Sequence, residues 1–308
     1  MSTHFFKAKS RLGLVNPPSG STSLNIGVEE APDAILDQGF LNYFKNYSIG
    51  EFEFTKPESI RPGNFFEVLA KELSDFTFFI NQNIGLDDVQ VVVGGDDSVT
   101  FSSLNAVLGR IEKPTEVGYI RFDSHADMNL YSQSPTKNFH GMYHRPFFDI
   151  FDKAEIEKLV KYKLNPNQVL FIGNLDLDSE EKVFFKKNRF RNINSYDISS
   201  NLSGVLREIS NFIKSYRRLH ISFDIDCLSK KDAPATGIPA KSALRFKDLI
   251  PILRLLSKRK LKSIDLVEVN PKLIGAEKTI KIAQEVLKIL LCGGTGFAIY
   301  FADPHIIP

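Results

Sequence analysis

Two short segments concentrate groups able to hold a cation. Asp123-Ser124-His125-Ala126-Asp127 places two carboxylates and an imidazole within five residues. In an extended segment, residues 123, 125 and 127 point the same way because side chains alternate with a period of two. Asp224 and Asp226 share a face by the same argument, and Asp97 follows Gly94-Gly95-Asp96. Carboxylates crowded into one crevice raise one another's pKa unless cations neutralise them. Oxygen ligands joined by a single imidazole favour a hard or borderline divalent ion such as Mn²⁺. A lone D-x-D after a strand commonly serves as a turn or helix cap, and a lone His125 as an ordinary polar residue. Their combination at strand ends points to a metal site.

The elements that must position these groups are legible in the hydrophobic pattern. Apolar runs at Val89–Val93, Val117–Phe122, Gln168–Ile172, His220–Phe223 and Ser263–Val267 each lead into polar or acidic residues. Such near-continuous runs suit parallel strands buried on both faces. Between them, Asn64–Asn83, Leu202–Tyr216, Phe246–Lys258 and Glu277–Leu291 carry apolar residues three or four apart, the spacing of amphipathic helices. The expected class is α/β: a three-layer α/β/α fold with a central, mostly parallel sheet. Ligands of such sheets bind outside the carboxyl ends of the strands, where the acids lie.

Composition bounds the function. The chain has 308 residues, 39 Lys+Arg against 37 Asp+Glu, 43% hydrophobic and 25% charged residues. This excludes a disordered chain and argues against a dedicated nucleic-acid binder. No uncharged apolar run reaches the ~18 to 20 residues that span a bilayer, so no membrane partner is expected. Two cysteines, Cys227 and Cys292, and no signal-like segment after Met1 lead to the expectation of a reduced, cytoplasmic protein. There is no Trp but there are 26 Phe, most of them in strand or helix patterns that read as core. No repeat or linker divides the chain, so residues 1–308 are expected to form one domain. The segment from Gly293 through Phe301 is expected to add one more strand, with a subunit contact as the alternative.

Taken in order, Gly94–Ser98, Asp123–Asp127, His140-Gly141, Ser222–Asp226 and Val267–Pro271 resemble the metal and substrate motifs of the ureohydrolase family, which includes arginase, agmatinase and formimidoylglutamase. The resemblance implies a parallel eight-stranded sheet and a binuclear manganese site with two Mn²⁺ per chain. Asp123 and Asp224 would bridge the ions, Asp127 and Asp97 would complete one shell, and His125 and Asp226 the other. His140 would be the proton shuttle and Glu268 the partner of a substrate guanidinium, with Asp127 also counted among the catalytic groups. A homo-oligomer, trimer or hexamer, is implied as well.

Two loops bear on the substrate. Asn129, Thr136 and Asn138 look like the residues that hold an amino-acid carboxylate in the arginase branch of the family. Asp176, Asp178 and Glu181 resemble the acids that receive the α-amino group. The implied reaction is hydrolysis of L-arginine to L-ornithine and urea on a guanidino or amidino amino-acid substrate, with another ureohydrolase activity (formimidoylglutamase, agmatinase or guanidino-acid hydrolase) or a catalytically silent relative as the alternatives. The largest departure from the motifs is Asp97, where the family has His. It is expected to bind metal still, with altered occupancy. Ile238 stands where the family usually has Thr.

Overall fold

The apolar runs become adjacent strands of one sheet. In chain order the strands are β1 (Thr3–Lys9), β2 (Tyr47–Glu53), β3 (Val89–Gly94), β4 (Val117–Phe122), β5 (Val169–Ile172), β6 (Arg191–Ile193), β7 (Arg218–Asp224) and β8 (Leu261–Val267). They lie in the order β2-β1-β3-β8-β7-β4-β5-β6, and every pairing is parallel. The computed structural model describes residues 2–17, 24–240, 242–257 and 261–293. The strand expected beyond Gly293 lies outside the described residues.

The expected runs correspond to β3, β4, β5, β7 and β8, all of them wholly or almost wholly buried. The strands the pattern did not reveal are β1 and the two edges, β2 and β6. In β2 no residue is fully buried and only Tyr47, Gly50 and Phe52 are partly shielded, and β6 is three residues long. An edge strand with polar alternation has no continuous apolar run to betray it.

Side chains alternate across the sheet into two cores. Phe5, Val91, Ile120, Phe122, Phe223 and Leu266 face helices Ser195–Lys214, Phe246–Ser257 and Ala276–Cys292. Phe6, Val92, Tyr119, Phe171 and Val267 face helices Phe65–Gln82 and Val99–Arg110. The sheet is thus the middle of three layers, as the period-two and period-3.6 patterns require.

The phenylalanines also place chemistry. Phe139 packs against Phe101 with ring centroids 5.8 Å apart, and Phe147 against the same ring at 5.1 Å. Phe101 belongs to helix Val99–Arg110, whose residues 99–108 are all buried. The loop carrying His140 is therefore pinned to a core helix by its neighbours in sequence.

Candidate active site

Four strands that are contiguous in the middle of the sheet, β3, β8, β7 and β4, release their chains at one end. After β3 come Asp96 and Asp97, after β8 Glu268, at the end of β7 Asp224 and then Asp226, and after β4 Asp123, His125 and Asp127. β8 joins to β3 in the parallel register Val93↔Leu266, and to β7 in the register Asp224↔Val267. The acids thus meet although up to 171 residues of sequence separate them, as between Asp97 and Glu268. Asp127 and Glu268 both have left-handed backbones, with φ of 54° and 65°. For residues with a side chain this conformation costs on the order of 1–2 kcal/mol, and such strain gathers where a side chain has to be aimed.

Three of the residues read as ligands stand together. Ligand atoms of Asp123, His125 and Asp226 lie within 4.8 Å of one another. His125 Nδ1 is 2.9 Å from Asp226 Oδ2 and 3.6 Å from Asp123 Oδ1. Asp224 is next to them, its Oδ1 accepting from the backbone N–H of Asp226 at 2.8 Å. Burial pushes Asp226 up to about 6, against the pull of His125. Burial and the Asp226 charge beside it hold Asp224 well above the usual carboxylate range. Burial works against the charge on His125, yet Asp226 and Asp123 keep its pKa well above the ordinary value. Three oxygens and an imidazole, crowded and electrostatically unbalanced, are the donor set a divalent cation relieves.

The second group differs from expectation. Asp97, Asp123 and Asp127 also converge, but they do so on Arg121 Nη2, which pairs with Oδ2 of each. Arg121 is fully buried. Burial opposes its charge, and Asp123 and Asp97 more than restore it, so its pKa lies well above the usual value. Asp123, for its part, is held well below the usual carboxylate range by Arg121 and His125 in spite of burial. The expectation that Asp97 and Asp127 complete a metal shell therefore meets a guanidinium already in their midst. Asp97 is further engaged by the Thr100 hydroxyl at 2.8 Å. In the sequence Arg121 sits inside the apolar run Val117–Phe122. Its signal was a single charged residue inside a buried strand, two positions before Asp123.

His140 and Glu268 meet directly, Nδ1 to Oε1, at 3.2 Å. Glu268 Oε1 also accepts from the backbone N–H of Asp97 at 3.1 Å, and Oε2 from Asn25 Nδ2 at 3.0 Å. Asn25 is in turn held by Asn270, 2.7 Å away. This bracing pair escaped the sequence reading.

The substrate loops divide. Asn129 Nδ2 donates to Asp178 Oδ2 at 2.8 Å, and Asn129 Oδ1 is buried without a partner among the described residues. Asp176 and Asp178 are exposed, and Thr136 uses its hydroxyl to accept from the Asn138 backbone N–H at 3.3 Å. Two expected substrate contacts serve the fold instead. Asn138 is wholly buried; its Oδ1 accepts from the backbone N–H groups of Val15 and Asn16, and its Nδ2 donates to the Asn16 carbonyl at 2.7 Å. Glu181 caps the helix Ser179–Lys187, its two oxygens accepting from the backbone N–H groups of Met128 and Asp178. Both side chains are spent on unpaired backbone donors.

Comparison with known proteins adds a family. The model of the arginase family matches residues 11–293. The chain is 31% identical over 237 residues to the arginase of Plasmodium falciparum, an alignment covering 74% of this chain and 53% of that protein. It thus spans about half the length of that relative. It is 26% identical over 320 residues to the arginase of Emericella nidulans, covering 93% of this chain and 95% of the other. Among solved structures, Bacillus subtilis arginase has a TM-score of 0.81 at 23% identity, covering 94% of this chain and 98% of that one. An Entamoeba histolytica arginase solved with L-ornithine has a TM-score of 0.80 at 24% identity, with 94% and 97% covered. At these identities the superpositions speak for the fold.

Proposed function

The chain belongs to the arginase family, and from that premise we propose that it hydrolyses the guanidinium group of L-arginine to L-ornithine and urea with the help of manganese. The observation that carries this reading is a cation-ready ligand set and an acid–base pair in one crevice: Asp123, His125 and Asp226 on one side, His140 against Glu268 on the other.

A divalent ion held by Asp123, His125 and Asp226, with Asp224 beside them, would lower the pKa of bound water and supply hydroxide near neutral pH. The remaining work falls to side chains. Glu268, buried and braced by Asn25, presents a carboxylate suited to a planar cationic guanidinium through charge-assisted hydrogen bonds. His140 keeps a raised pKa, because the hydrogen bond and charge of Glu268 outweigh its burial. It can therefore arrive protonated and give its proton to the leaving amine as the carbon–nitrogen bond breaks. Asn129 and Asp178, hydrogen-bonded to each other, offer a donor and an acceptor for the amino-acid end of the substrate.

The test is product release from L-arginine, agmatine, guanidinobutyrate and formimidoylglutamate, assayed with added Mn²⁺ across pH. Preference for arginine is expected. Preference for agmatine would remove the role given to Asn129 and Asp178, and no turnover of any of the four would end the proposal.

A further inference from the structure

We infer that Arg121 is a built-in cation: its guanidinium takes the place of one of two metal ions, so that the chain carries one divalent ion. The inference rests on the metal-dependent reading above and revises its stoichiometry.

The position of Arg121 follows from the strand. Residues 119, 121 and 123 share a face of β4, and Tyr119 lies in the core beneath helices Phe65–Gln82 and Val99–Arg110. Ile120 and Phe122 occupy the opposite core. The guanidinium is thus committed to the side on which Asp123 stands. Its register partners there are Ser222 of β7 and Phe171 of β5. The small Ser222 leaves the space that the long side chain fills, and its hydroxyl lies 3.0 Å from Nη1. The Tyr143 ring closes the far side, 5.2 Å from Cζ.

Within that slot Nη2 meets an oxygen of Asp97, of Asp123 and of Asp127 at once. These are the three carboxylates that would otherwise form a metal shell. A fully buried arginine requires paired anions, and stripping them from it is strongly destabilising. Counting charge alone would allow Arg121 and two ions together. Space does not, since an ion bound by the same three oxygens would stand against the guanidinium. Asp97 and Arg121 then make sense as a pair. A carboxylate where the motif has an imidazole is the better partner for a guanidinium, and Nη1 and Nη2 both address it. The other ligand group, Asp123 Oδ1 with His125 and Asp226, faces away from Arg121 and keeps its donors.

The experiment loads the full-length protein with Mn²⁺, removes free ion by gel filtration, and measures bound metal by mass spectrometry alongside the EPR spectrum. Expected is one ion per chain with the hyperfine pattern of isolated Mn²⁺. Two ions with an exchange-coupled spectrum would overturn the inference, and so would none. A second arm uses Arg121→Met combined with Asp97→His, which restores the imidazole and empties the slot. Its bound metal should double and become exchange-coupled. A folded double variant that still binds a single ion would show that Arg121 is not what excludes the second. Should that variant fail to fold, the wild-type measurement decides alone. One ion without turnover of arginine would leave this inference standing and remove the arginase reading; two ions with turnover would do the reverse.

Discussion

His140 Nδ1 stands 3.2 Å from Glu268 Oε1, with side chains only 12% and 5% exposed. Burial by itself would push the imidazole toward neutrality, and the Glu268 hydrogen bond and charge reverse that. A histidine whose folded pKa exceeds its unfolded value of about 6.5 adds stability that is complete below that value. The contribution is lost as pH rises through the folded pKa. Glu268→Gln should therefore cost about 2 kcal/mol in acid and much less in alkali. Thermal melts of both proteins between about pH 6 and pH 9 read this difference, and a gap that does not change with pH would remove the ion pair from the account.

Removal of His140 itself should be catalytic in effect. His140→Ala is expected to lower kcat on the order of 10²- to 10⁴-fold, with bound metal unchanged. Loss of metal in that variant would make His140 a ligand instead of an acid.

Metal binding should be acid-sensitive. His125 carries a raised pKa through Asp226 and Asp123, and Asp226 itself is pushed up to about 6 by burial. Both must shed protons before they can ligate, so Mn²⁺ affinity should already decline as pH falls through neutrality, where His125 takes up its proton, fall further below about pH 6 as Asp226 does, and recover in mild alkali. Asp226→Ala should weaken Mn²⁺ binding at least tenfold by isothermal titration, in line with the ~10–100-fold that even supporting residues of metal sites contribute. Unaltered affinity would place the ion elsewhere.

The loop residues should separate into two kinetic classes. Asp178→Ala is expected to raise KM for arginine with little change in kcat. Asn138→Ala should leave KM within about twofold yet cost about 1–2 kcal/mol of stability, because it removes the buried Asn138 amide that holds the part-buried backbone N–H groups of Val15 and Asn16. A raised KM in the Asn138 variant without loss of stability would return that residue to the substrate.

A close backbone contact supplies another handle. A Cβ on Gly173 would lie 1.6 Å from the Asp123 carbonyl oxygen, far inside any allowed contact. Gly173→Ala must move the segment from Asp123 to Asp127, so Mn²⁺ affinity and melting temperature should fall together. Wild-type metal binding in that variant would mean the ligands do not depend on the seat Gly173 provides.

What could be read in the sequence followed from the strength of each local signal. The buried central strands announce themselves as apolar runs, and the acids at their ends are conspicuous because charge stops the run abruptly. β1 and the edge strands, with their polar alternation, carry no such contrast. Within the site, motif spacing located Asp123, His125 and Asp226, whose partners are near in sequence or on the adjoining strand. It could not show that Arg121 reaches Asp97, 24 residues away, because that meeting depends on which strands are neighbours. Nor could it separate Asn138 and Glu181, which satisfy backbone groups, from Asn129 and Asp178, which pair with each other. The same residue types do both jobs, and only the partner atoms distinguish them.

The strand order has a consequence for how the chain is made. β8 is the last strand in sequence among the described residues, yet it sits between β3 and β7. Until residues 261–267 leave the ribosome, β2-β1-β3 and β7-β4-β5-β6 are two separate half-sheets, each with an open inner edge. Such edges pair readily with other chains. A nascent chain halted before Leu261 should thus be a poor folder and an aggregation hazard, and the crevice cannot form until nearly all of the described polypeptide has been synthesised.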